Sequence, residues 1–188
     1  QDTAEFPLRV WDAKLRPSNL TGNTISGNRV DVVALAGTLV ENWTVPTTGV
    51  PFVLDDRNEG GGSFTVAAGV TMTVPAGVVI KVGDASISWA DYSGGIMVAG
   101  TLKVNGTAAA PVVFTPLEDD TIGGDTNGDG DDTAPRTSQW YGISVVEGGS
   151  ATLTQARLLY AGGVSGLGNA LSVTSSVLTK DLLKNANV

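Results

Sequence analysis

The sequence predicts an all-β fold of the parallel solenoid type, and three observations predict it. Val (24), Thr (21) and Gly (25) dominate the 188 residues, and no long stretch sustains the 3.6-residue apolar period of a helix. Short apolar runs with β-branched residues are broken every few residues by Gly, Asn or Pro, as in FTVAAGVTMTVPAGVVIKVG at 64–83. Such runs are short strands joined by tight corners. The third observation is internal repetition, because three strand types recur in one fixed order.

The first type is FTV (64–66), then GIMV (95–98), GISVV (142–146) and ALSV (170–173). The second follows as VTMTV (70–74), TLKV (101–104), ATLT (151–154) and VLT (177–179). The third closes each turn as VVIKV (78–82), VVFT (112–115), ARLLY (156–160) and DLLK (181–184). Phe64 to Ile96 is 32 residues, Ile96 to Ile143 is 47 and Ile143 to Leu171 is 28. Three short strands per coil suit a parallel solenoid, in which inward side chains of successive coils stack as ladders. A β-sandwich is the competing architecture, but its strands do not repeat a three-part order. The domain reading is an N-terminal extension at 1–17 and a single solenoid at 18–188, with an acidic insertion at 117–139.

Composition removes several function classes. Eleven basic residues face nineteen acidic ones, for a net charge of -8 with no Lys/Arg cluster, which argues against nucleic acid or anionic lipid as partner. The chain has no Cys and no His. It therefore lacks a disulfide framework, a thiol nucleophile, the commonest general base and the usual transition-metal ligands. No apolar run reaches the roughly 18–20 residues of a membrane helix. A first residue Gln1 rather than Met is read as a mature form whose leader has been removed, which a chain trimmed by other means would equally show. The expected location is secreted, extracellular or cell-surface.

The blocks GTLVENWTVPTTGVPFVL (37–54), VAAGVTMTVPAGVVIKVG (66–83), VAGTLKVNGTAAAPVVFT (98–115), GGDTNGDG (123–130), WYGISV (140–145) and ATLTQARLLYAGG (151–163) span nearly the whole chain. In that order they resemble bacterial and archaeal cell-surface proteins built on right-handed parallel β-helix repeats of the pectate-lyase-like kind. The resemblance implies a right-handed β-helix and a mostly non-catalytic role as stalk, adhesin or surface scaffold.

Two end segments look alike. NLTGNTISGN (19–28) aligns with VLTKDLLKNAN (177–187), placing Leu20 on Leu178, Thr21 on Thr179, Asn23 on Asp181 and Ile25 on Leu183. Both read as interior pieces of a solenoid without a cap. Uncapped ends leave unpaired backbone and an apolar cross-section, so one expectation is head-to-tail stacking into a filament by end-to-end or strand-addition contacts. The equal alternative is a segment of a longer β-helical protein acting as an adhesin or carbohydrate-binding element, with surface glycans as partner. The extension, whose apolar residues are Phe6, Leu8, Val10 and Trp11, is expected to pack on its own solenoid, insertion into a neighbour being the other possibility.

The 47-residue interval contains DDTIGGDTNGDGDDTAP (119–135), in which six of seventeen residues are Asp. Asp125, Asn127, Asp129 and Asp131 alternate, and Gly130 stands sixth, the pattern that opens an EF-hand-type calcium loop. Asp131, seventh, would contribute its backbone carbonyl. The twelfth position holds Arg136 where a bidentate acid is expected, so Asp119, Asp120 or Asp132 would have to substitute. Calcium is the cofactor this reading implies, in a loop expected to protrude from the side of the solenoid; a merely solvated acidic loop is the alternative. Trp140 and Tyr141 are expected to anchor the loop's return.

Catalysis is not expected. β-Helical lyases and hydrolases need clustered acids or calcium with a basic residue on one face, whereas Lys81, Arg157, Lys180 and Lys184 are scattered. An ice-binding face would need a ladder of Thr-x-Thr, and only Thr71-Met72-Thr73 and Thr152-Leu153-Thr154 fit. Sequons at Asn19, Asn42 and Asn105 are close to chance frequency and decide nothing.

Overall fold

Parallel strands cannot be joined by tight hairpins, so a chain with short corners must travel around an axis before it can pair with itself. The chain does this. In the computed structural model the described residues are 6–20, 22–54, 64–83, 94–166 and 171–178. They are all-β apart from one 3-10 helix at Pro17–Leu20, and every strand pairing is parallel.

The strands are β1 (Leu8–Leu15), β2 (Val33–Leu39), β3 (Trp43–Thr44), β4 (Phe52–Leu54), β5 (Phe64–Val66), β6 (Thr71–Pro75), β7 (Val79–Val82) and β8 (Gly95–Val98). They continue as β9 (Thr101–Asn105), β10 (Val112–Pro116), β11 (Gly142–Val145), β12 (Ser150–Thr154), β13 (Ala156–Leu158), β14 (Val164–Gly166), β15 (Leu171–Thr174) and β16 (Val177–Leu178). A first ladder stacks β5, β8, β11 and β14; a second stacks β3, β6, β9, β12 and β15; a third stacks β4, β7, β10, β13 and β16. Strand β2 joins the first and third ladders into one strongly curled sheet, because its residues 33–35 pair with β4 and its residues 38–39 with β5. The path is solenoid-like.

Register fixes the core. Phe52, Ile80, Phe114 and Leu158 stand in one row, Phe64, Ile96, Ile143 and Val164 in a second, and Met72, Leu102, Ala151 and Leu171 in a third. All twelve are buried. Alternation sends the intervening residues outward, to water on most of the surface.

On the third ladder the outer face is covered instead. Val30, Val32, Ala34, Val53 and Leu117 form a small satellite core there, with Phe6 packed against it.

The repeats at β5 to β13 lie where the sequence places them, but the last turn is displaced by one strand. LSVT (171–174) pairs with β12 rather than with the first ladder, and Val177–Leu178 pairs with β13. The first-ladder position is filled by Val164–Gly166, only 21 residues after Ile143. The run AGGVSG reads as a loop by propensity, yet pairing along an existing edge overrides propensity. Gly166 also fits because space is short: a Cβ there would lie 3.3 Å from Leu171 Cβ and 3.5 Å from Val145 Cβ. DLLK (181–184), expected as a third-ladder strand, lies outside the described residues.

The extension does pack on its own chain. β1 pairs with β2 from Leu8↔Val33 to Leu15↔Leu39, with a shift of register after Asp12, and so takes the outer position on the curled sheet. Its Trp11 is 55% exposed.

Gly142 opens β11 with φ +90°, and a Cβ there would sit 1.8 Å from the carbonyl oxygen of Gly163. The close approach joins consecutive turns and cannot be relieved by a rotamer change, since the obstruction is backbone. Gly142→Ala is expected to cost about 2–4 kcal/mol, lowering the thermal midpoint of a domain this size by roughly 4–16 °C, read by circular dichroism melting. An unchanged midpoint would contradict the assigned packing.

Candidate functional site

The long corner between β10 and β11 starts against the solenoid, with Leu117 and Thr126 buried, and runs on into exposed residues at 130–134. It folds back over the outer face of the third ladder, and the reason is the row Val53–Lys81–Thr115, which the register places there side by side. All three are fully buried or nearly so, Lys81 at 0% exposure. Burying an ammonium demands full hydrogen bonding. Lys81 Nζ donates to the carbonyl oxygens of Asp119 (2.9 Å) and Gly124 (2.6 Å), tying both sides of the turn to the sheet. Thr126 Oγ1 donates to the Leu117 carbonyl at 3.0 Å. Gly123, at φ +77°, lies so close that a Cβ would come within 2.8 Å of the Pro51 ring.

Asp119 is buried, and its carboxylate is committed to the turn. It accepts hydrogen bonds from Thr115 Oγ1, from Thr121 Oγ1 and from the Thr121 amide. Asp125 organises the next turn: Oδ1 accepts from the amides of Gly128 (2.6 Å) and Asp129 (3.2 Å), and Oδ2 from that of Gly130 (2.9 Å). These bonds are the physical reason for Asp and Gly at this spacing. The amide of Asn127 links within the loop, Oδ1 accepting from the Asp129 amide at 3.4 Å and Nδ2 donating to Thr133 Oγ1 at 2.9 Å. Thr133 Oγ1 in turn donates to Asp129 Oδ2.

Folding brings Asp120 to the loop's alternating acids. One carboxylate oxygen from each of Asp120, Asp125 and Asp129 lies within 4.8 Å of the other two. Among the described residues Oδ1 of Asp120 and Oδ1 of Asp129 are enclosed without a hydrogen-bond partner, so the cluster has acceptors to spare. Asp131 and Asp132 are exposed, and their carboxylates, like that of Asp119, stand outside this group.

The electrostatics follow from burial. Desolvation first, and the Asp125 charge second, hold the Asp120 carboxyl above its ordinary range. Desolvation pushes the Lys81 ammonium down to about 8, while Asp120, Asp119, Asp125 and Glu118 pull it back toward the charged form. A cation at the cluster would relieve the acids; Lys81 serves them from beneath, and sequence reading alone had placed it among scattered charges. Its signal is the register itself, since an outward lysine between Val53 and Thr115 has no solvated neighbours.

Trp140 anchors the loop's return as expected: it is buried, and its Nε1 donates to the Leu159 carbonyl at 2.9 Å. Tyr141 is instead 60% exposed. Arg157 lies in a different row from Lys81, paired with Val113. Thr73 and Thr152 share an outer row of the second ladder, but Lys103 separates them. Lys180 and Lys184 fall outside the described residues, and among those described no helix is long and apolar enough to cross a membrane. Comparison with protein-family models, curated proteins and solved structures gives no match.

Lys81→Met is expected to leave the buried Asp119 carbonyl and the more exposed Gly124 carbonyl without their donor, at about 1–3 kcal/mol, and to increase protease cleavage within 117–139 while the sheet signal is retained. The pH dependence has a definite sign. A lowered lysine pKa means that the unfolded chain binds more protons than the folded one between pH 8 and 10.5. The Lys81 contribution to stability therefore rises with pH across that window. Thermal melts of wild type and Lys81→Met from pH 7 to 10.5 measure it, and parallel curves would exclude the assigned role.

Proposed function

We propose that this chain is a right-handed parallel β-helix acting outside the cell as a non-catalytic structural subunit of a surface layer or filament, its copies stacked head to tail and its acidic loop held by calcium. The observation that carries the stacking is the state of the ladders' ends. Among the described residues β3 at one end and β14, β15 and β16 at the other each have a single strand partner. Unpaired parallel edges over an apolar interior invite another chain to continue the sheet, and a head-to-tail contact of unlike ends propagates without closing.

Calcium fits the donor set. Hard carboxylate oxygens with enclosed, unshared acceptors suit a hard divalent cation, and Asp120, Asp125 and Asp129 would hold it with one oxygen each at the least. Asp120 is then the carboxylate that stands in for the acid missing at Arg136. Bound there, the cation would supply positive charge and no chemistry, fixing the loop to the third ladder. The second reading, a glycan-binding segment of a larger surface protein, draws on the exposed aromatics Trp11 and Tyr141, since exposed rings with polar tips are sugar-stacking surfaces as well as interface residues.

Electron microscopy of the purified chain with and without calcium tests the first reading. End-to-end polymers are expected; monodisperse single particles under both conditions, with capture on a glycan surface, would transfer the assignment to the second. Calcium is tested separately by thermal unfolding. At an affinity of about 0.1–1 mM, adding about 10 mM calcium stabilises the fold by roughly 1–3 kcal/mol, or roughly 3–10 °C. Asp120→Asn should abolish most of that gain, and a wild-type midpoint indifferent to calcium would exclude the cation.

A further inference from the structure

The fold is finished differently at the end that carries β1. Among the described residues no strand lies between β1 and β2; the 3-10 helix Pro17–Leu20 runs there, followed by an irregular segment whose Gly22 and Gly27 both take φ +75°. A strand in register sets each side chain directly on its predecessor, whereas a turning segment meets the last rung only at intervals. Leu20 and Ile25 of this segment pack against the core and stay half-buried. They form one wall of a cavity of ≈ 340 Å³, which Leu8, Trp43, Val50 and Phe52 help to line.

The lining has a definite chemistry. In a chain of net charge -8, none of the residues around the cavity is charged, so an ion entering it would lose hydration and gain no partner. Trp43 and Phe52 meet edge to face, with centroids 5.7 Å apart. The polar side chains Asn23, Thr24 and Thr48 are exposed and so stand at the mouth. Asn23 Nδ2 donates to the Leu20 carbonyl at 3.0 Å, and Thr48 Oγ1 donates to the Val50 carbonyl at 3.3 Å. With its single hydrogen committed, Thr48 Oγ1 is left as an acceptor, as is the carboxamide oxygen Oδ1 of Asn23. Apolar cavities of about 150 Å³ take up benzene, and this one is large enough for two fused rings.

We propose that this cavity is a binding site for a small uncharged molecule with an apolar body of about two fused rings and a hydroxyl or N–H donor at one end. The body lies against Trp43 and Phe52, whose rings favour offset or edge contacts with another ring. The donor end faces Asn23 and Thr48 at the mouth. Charge and size both select. A carboxylate finds no counter-charge in the wall, and a single ring leaves part of the wall uncontacted, forfeiting dispersion. A sugar, with a hydroxyl on nearly every carbon, would bury more donors than the mouth has acceptors. The site depends neither on the stacking nor on the calcium loop proposed above.

Ligand-detected NMR titration of the full chain with three probes tests the assignment. Indole is expected to saturate a single site, 1-methylindole, which lacks the donor, to bind roughly threefold to tenfold more weakly, and indole-2-carboxylate not to bind. Absence of saturable indole binding, or equal binding of the carboxylate, overturns the site. Ile25→Trp fills the cavity from its wall and should lose indole binding with the melting midpoint retained; full binding by that variant puts the probe elsewhere and also overturns it. Should Ile25→Trp fail to fold, Thr48→Val serves in its place. It should erase most of the preference for indole over 1-methylindole, and an undiminished preference would refute the arrangement.

Discussion

Parallel register is the constraint on which everything else depends. Because each strand pairs residue for residue with the one a turn earlier, a side chain that points inward must fit directly over its predecessor, as Phe114 does between Ile80 and Leu158. The same rule governs the outer face. Val53, Lys81 and Thr115 share a row without regard to their chemical suitability for water, and the cover supplied by the long corner follows from that placement.

The acidic loop is thus held from two sides by different means. Beneath it, a single ammonium satisfies two backbone carbonyls and is desolvated for the purpose. Above, three carboxylates converge with acceptors to spare. Lys81 cannot neutralise the upper cluster by contact, since both of its characterised bonds go to main-chain oxygens. Loop order and loop charge are separable problems here, the first met by a buried side chain and the second suited to a mobile ion.

The parts legible in the sequence were those with local signatures. The rows through Phe64, Ile96 and Ile143 follow from strands whose β-branched residues and bounding glycines mark them directly. The turn at Asp125–Gly130 follows from side chains that bond amides three to five residues away. What could not be read depended on distant pairing. The final turn was displaced because Val164–Gly166 becomes a strand only when β11 offers an edge. Asp120 joins Asp125 and Asp129 only because the corner folds back, and the corner folds back over Lys81, 38 positions earlier in the chain.

The corner between β10 and β11 carries a further consequence. It holds 25 residues, yet Ile96 still meets Ile143 and Phe114 still meets Leu158 across it. Stacking is indifferent to how far the chain wanders between rungs, provided that it returns to the same edge, and the entropic charge for a longer excursion grows only logarithmically. Such a corner is a port at which material can be gained or exchanged over evolutionary time while the column itself stays unaltered.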